Sequence, residues 1–153
     1  MSKANENKDK LLSALKRNGY RIVSESDERS VFGTAFPAII NLSLPGLRNV
    51  TQGGDLCIQF TKDYLRMSFD LMYIPSWKKQ SAESTCNLFN STFQGSMNLS
   101  VVNALDANGT TLSDKYTVYV YTEMACDYGF ESKILSSFEP LKVFSSQFEA
   151  AFQ

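Results

Sequence analysis

The side chains that could carry chemistry in this chain are three cysteines, Cys57, Cys86 and Cys126, and a scatter of carboxylates, of which Asp63, Asp70, Glu123 and Asp127 could pair in a cleft as glycosidase acids do. Histidine is absent from all 153 residues. Without imidazole the chain lacks Ser-His-Asp and Cys-His catalysis, the usual general acid and base near neutral pH, and the commonest zinc ligand. Each thiol stands apart from any sequence-adjacent base that would lower its pKa, so each reads as core filler. Three is also an odd number with wide spacing, which argues against a disulfide framework. The four carboxylates read as solvated residues at turns and on a polar sheet face.

No GxGxxG, GxxxxGK[ST] or CxxC motif occurs, so neither a nucleotide nor a structural metal is expected, and no cofactor is assigned. Gly53-Gly54-Asp55 could wrap an anion, but a turn leading into the apolar alternation Leu56–Phe60 accounts for it. The sequence therefore predicts a protein that is not an enzyme.

Length and composition bound the architecture that holds these residues. With 153 residues, 43% of them hydrophobic, the chain fits one α+β domain over 1–153, with residues 1–4 expected as a flexible tail. Fifteen basic against sixteen acidic residues leave no field that would draw in nucleic acid or an anionic membrane. The N-terminus is polar and no apolar run approaches the ~20 residues of a membrane span, so a cytoplasmic protein is expected.

Leu11, Leu12 and Leu15 fall at helical spacing in a first helix over Asn5–Arg17, stopped by Asn18-Gly19. Short β-rich runs follow at Tyr20–Ser24, Ser30–Thr34, Ala38–Leu44, Asp55–Thr61 and Tyr64–Ile74, the last two joined by a tight turn at Lys62-Asp63. Ala82, Cys86, Phe89 and Phe93 make the stripe of a second helix, ended by Gly95. Strands at Met97–Leu105 and Asp114–Cys126 flank the loop Asp106–Ser113 with its Asn108-Gly109 turn. Phe130–Phe152 carries Ile134, Phe138, Leu141, Phe148 and Phe152 near one face around Pro140, so one kinked helix or two short ones are expected. The sum is an antiparallel sheet of about five to seven strands against an N-terminal, a central and a C-terminal helix.

Alternation then sorts the side chains of the sheet. Leu65, Met67, Phe69, Leu71 and Tyr73 would face the helices, as would Tyr116, Val118, Val120 and Met124. Tyr64, Arg66, Met72, Tyr119 and Tyr121 are left on the opposite face, with Trp77 just beyond a strand end. Aromatics, Met and Arg are enriched in interface cores, so these six are the candidate partner-binding residues. The other reading is that the chain's own loops or helices cover them.

This order of elements, helix, antiparallel strands, helix, two strands and long terminal helix, resembles the type III secretion chaperone-like superfamily. The resemblance lies in the order and in no motif, so no site residue is carried over. It implies a small, often homodimeric, cytoplasmic protein that binds other proteins and catalyses nothing. Beside this protein-binding module stand two alternatives, a structural subunit of a larger phage or secretion assembly and, more distantly, a carboxylate-dependent enzyme.

Overall fold

The computed structural model describes residues 2–50, 55–93 and 96–152. The first helix, α1, runs Lys3–Arg17. Ser2 caps it by accepting a hydrogen bond from the Asn5 amide at 3.1 Å. At its far end the Asn18 side chain bonds the Ala14 carbonyl at 2.7 Å, and Gly19 turns the chain with φ +77°. The expected tail is thus helical at Lys3 and Ala4, and Ala4 is buried; Met1 lies outside the described residues.

Among the described residues eight strands follow α1: β1 (Arg21–Ser26), β2 (Arg29–Val31), β3 (Thr34–Phe36), β4 (Ala38–Ser43), β5 (Asp55–Phe60), β6 (Tyr64–Pro75), β7 (Asn98–Leu105) and β8 (Thr111–Ala125). A short 3-10 turn, Ser76–Lys78, leads from β6 into α2 (Lys79–Phe93), and α3 (Phe130–Phe152) closes the described chain. Six strands form one antiparallel sheet in the order β1-β4-β5-β6-β8-β7, while β2 and β3 pair only with each other. The expected α+β class, sheet size and three helices all stand.

One apolar cluster fills the space between sheet and helices. Leu11 and Leu15 of α1, Ala82 and Cys86 of α2, and Phe130, Ile134, Phe138, Leu141, Phe144 and Phe148 of α3 meet the inward residues of β4, β5, β6 and β8. α1 lies against β1, β4 and β5, α2 against β6, β7 and β8, and α3 touches both helices. All three helices thus serve one sheet face, and a two-layer architecture results. Among the described residues no helix is long and apolar enough to cross a membrane.

Three expectations about elements change, and the alternatives left open for the C-terminal segment narrow to one. The run Ser30–Thr34 is a hairpin rather than a strand, because the chain turns at Phe32-Gly33 and Val31 pairs with Thr34. α3 is a single helix through Pro140; the flanking Phe138, Leu141 and Phe144 are buried, and that packing outweighs the one lost helical hydrogen bond. The loop before β8 shrinks to Asp106–Thr110, where the Asp106 carboxylate accepts from the amides of Asn108 and Thr110 at 2.8 and 2.9 Å. Finally, β6 bulges: Asp70 pairs with Tyr119 and Tyr73 with Thr117, so Leu71 and Met72 together oppose Val118. The bulge turns Met72 towards the core cluster and Tyr73, expected inside, to the opposite face, where it is 47% exposed. The turn expected at Gly53-Gly54 and the helix stop at Gly95 fall outside the described residues.

Candidate functional site

On the face away from the helices the strands present polar and aromatic side chains, and the antiparallel register decides which of them meet. Arg66 of β6 stands opposite Glu123 of β8, Ser68 opposite Tyr121, and Asp70 opposite Tyr119. The Arg66 guanidinium carbon lies 4.1 Å from the centre of the Tyr121 ring, and its Nη2 lies 3.4 Å from Glu123 Oε1. Arg66 also donates to the Tyr119 side chain. Burial works against its charge, but Tyr119 and Glu123 outweigh that cost and its pKa rises above the ordinary value. Tyr119 and Tyr121, two residues apart on one strand, hold their ring centres 5.8 Å apart. Four side chains thereby form a pre-ordered cluster whose cation is sandwiched between aromatic and carboxylate, and Tyr64 stands exposed at the near end of β6.

Five of the six candidate residues therefore lie wholly or partly at the surface. Tyr64, Arg66, Tyr119 and Tyr121 share the open face. Trp77 is 81% exposed but sits at the far end of β6, away from the cluster. Met72 is corrected: the bulge that puts two residues opposite Val118 sends it inward. Tyr73 and Lys115 take the vacated part of the surface, with the Lys115 Nζ 4.1 Å from the Tyr73 ring centre. No single-sequence signal marks this exchange, because apolar residues occupy 71, 72 and 74 and alternation runs through the bulge unbroken.

Among the described residues the four candidate carboxylates do not gather in one cleft: Asp63 and Glu123 border a shallow depression at the start of β6, while Asp70 lies midway along that strand. Glu123 is engaged by Arg66, while Asp70 accepts from the Thr117 hydroxyl at 3.1 Å. Burial raises the Asp70 pKa above the usual carboxylate range, and the Thr117 bond offsets part of that. Asp63 and Asp127 lie near Cys126 at the opposite end of β6, where their charges help hold its thiol up at about 11, behind burial as the main cause. Cys86 is buried and likewise raised to about 11, by burial and then Glu83. Cys57 departs from the expected core placement. It lies half-buried on the open face opposite Ser68, its pKa raised by burial and partly restored by a hydrogen bond with Ser68. All three shifts favour the protonated thiol, the opposite of what nucleophilic cysteine needs. Among the described residues no three His, Cys, Asp or Glu side chains gather at metal-binding range.

No family model matches the chain, and no curated protein matches it. Among solved structures, an uncharacterized protein from Methanothermobacter thermautotrophicus is similar over 96% of both chains, with a TM-score of 0.56 and 10% sequence identity. At that identity the likeness speaks to fold alone. Fold and surface together define a two-layer α+β arrangement whose sheet is helix-covered on one face and, among the described residues, carries no helix on the other.

Proposed function

We propose that this protein is a non-catalytic, cytoplasmic protein-binding module, chaperone- or adaptor-like, that takes its partner, or a second copy of itself as a homodimer, on the open sheet face. The observation that carries this reading is the Arg66–Tyr119–Tyr121–Glu123 cluster. Its four side chains are ordered by contact with one another on a face to which no helix is assigned. Rigid aromatics and an arginine already fixed in place lose little freedom when a partner arrives, which is why such residues anchor interfaces. An antiparallel sheet tolerates one uncovered face, so the fold does not itself require the aromatics there.

Substitution of Tyr119 or Tyr121 by Glu tests the reading. Tyr121→Glu places a carboxylate beside Glu123 and Tyr119→Glu one opposite Asp70, and each removes a ring from the cluster. Self-association, measured by sedimentation, or capture of the native partner should weaken by about 2 kcal/mol or more, roughly thirtyfold, while the thermal midpoint moves little. Binding unchanged in both variants, or unfolding of both, would remove the face from consideration as a docking surface.

A further inference from the structure

Between β1 and β4 the chain leaves the sheet as a hairpin arm, and all six strand residues of β2 and β3 are exposed. Its root is fixed. The Asn5 side chain accepts from the Glu28 amide at 2.6 Å and donates to the Glu28 carbonyl at 3.3 Å, while the buried Lys8 ammonium contacts Glu25 and Asp27. The tip, by contrast, rests on its turn alone. Phe32 and Gly33 have φ of +50° and +80°, the pair of positive values that a two-residue type I′ loop requires. That loop favours Asn or Asp before Gly, and an aromatic residue in the left-handed region is strained. Nor does Phe32 gain burial in return, since its side chain is fully exposed, with Val31 exposed beside it. A residue disfavoured both by its turn and by solvent answers to something outside the folded chain.

The opposite end of the sheet carries a fitting receptor. A cavity of about 450 Å³ is walled by Tyr73, Ile74, Pro75, Trp77, Leu112 and the Asp114-Lys115 pair. The bulge in β6 delivers Tyr73 to it, and the exposed indole of Trp77, the chain's single tryptophan, is free to meet an incoming ring. The neighbouring concavity on the other side of Trp77 has Ala151 and Phe152 on one wall, but Lys78, Gln80, Ser81, Ser84 and Thr85 make most of its lining polar. The arm emerges beside Phe60 and Lys62, at the start of β6, and the cavity closes its end. The 12 residues of β6 separate the two by roughly 36 Å at the usual strand rise.

We infer that the Phe32 arm of one copy seats in the Tyr73–Trp77 cavity of the next, joining copies of this chain head to tail. Glu28 and Arg29 flank the arm, and Lys115 and Asp114 flank the cavity, so each side of the joint brings one acid and one base to pair across it. Knob and cavity are different patches at opposite ends of one molecule. Such a contact leaves a free knob and a free cavity after every addition, so it extends a chain or closes a ring and does not stop at a two-fold dimer. A hairpin tip covers less than the ~1,200 Å² of a small stable interface, so assembly depends steeply on concentration. The Arg66, Tyr119 and Tyr121 side chains line neither the arm's root nor the cavity, which makes this inference independent of binding at that cluster.

Sedimentation velocity from micromolar to millimolar protein tests the joint. The wild-type chain should pass beyond a dimer as concentration rises, and Tyr119→Glu should not prevent it. Made in the Tyr119→Glu background, which removes association through the open sheet face, Phe32→Asn, which gives the turn its preferred Asn-Gly pair, should hold the protein monomeric with an unchanged or raised thermal midpoint. Trp77→Ala in the same background should also stay monomeric. Mixed together, the two variants should form a 1:1 dimer and nothing larger, because one keeps only its cavity and the other only its knob. A wild type that remains monomeric throughout, either variant assembling as the wild type does, or a mixture that stays monomeric overturns the inference. So does wild-type binding to anionic phospholipid vesicles that Phe32→Asn loses in the absence of self-association, an outcome that assigns the tip to a membrane surface.

Discussion

Within β8, Val118 and Val120 disappear into the core while Tyr119 and Tyr121, one residue away from each, stay at the surface with Arg66 between aromatic and acid. The same backbone and the same propensity for extended structure serve both sets. What differs is the neighbour: on one side α2 and α3 bring aliphatic and aromatic side chains, on the other the nearest groups belong to the sheet itself. A side chain's contribution is therefore decided by which face its parity assigns it to, and substitutions should separate cleanly by parity.

The largest contrast should come from Val118→Glu. An unpaired carboxylate forced among Leu71, Met72 and the helices costs on the order of 4 kcal/mol or more, enough to unfold a domain of this size, and circular dichroism at ambient temperature would register the loss. A folded Val118→Glu protein would mean that the two faces are interchangeable.

Cysteine supplies a milder version of the same comparison. Cys86→Ala empties a buried site between α2 and the sheet and should lower stability by about 1–2 kcal/mol, whereas Cys57→Ser on the open face should stay within about 0.5 kcal/mol of the parent. Equal losses in chemical denaturation would show that the open face is packed as tightly as the core.

The smallest effect has the opposite sign. Because burial raises the Asp70 pKa in the folded chain, the folded state holds the proton more tightly than the unfolded state does. The stability this provides is complete below the unfolded carboxylate pKa and is lost as pH rises through the folded value. Asp70→Asn keeps an oxygen for the Thr117 hydroxyl but has no proton to lose. Its thermal midpoint should exceed that of the parent at neutral pH, and the gap should close as pH falls below the ordinary carboxylate range. A gap that widens on acidification would reverse the sign of the argument.

Much of this was legible from residue order. The alternation of Leu56, Ile58 and Phe60, and of Leu65, Met67 and Phe69, set the inward face of β5 and the first half of β6, and the 3.6-residue stripe of Ala82, Cys86 and Phe89 set α2. Parity also grouped Tyr64, Arg66, Tyr119 and Tyr121. It failed at Met72 and Tyr73, because a bulge shifts phase without leaving a mark in an apolar run. It failed at Phe32-Gly33 as well, since Phe is a residue that strands favour and that type I′ turns avoid. Lys8 defeats composition in another way: a lysine on a helix reads as solvated, and its burial depends on Glu25 and Asp27 arriving from β1 and the arm root.

The attachments of the two terminal helices differ in how far along the chain they reach, and that bears on the order of assembly. α1 is fastened to Glu25, Glu28 and Lys62, contacts 17, 23 and 55 residues away. α3 is fastened by the Ser145 hydroxyl to the Arg48 amide across 97 residues, and by Ser137 to Met67 across 70. Loop-closure entropy makes the first set quick and the second slow. During synthesis the first helix and β1 can organise early, while the apolar surface that α3 covers stays bare until that helix arrives to seal it. The interval between those events, more than the finished fold, is when this chain is most exposed to aggregation.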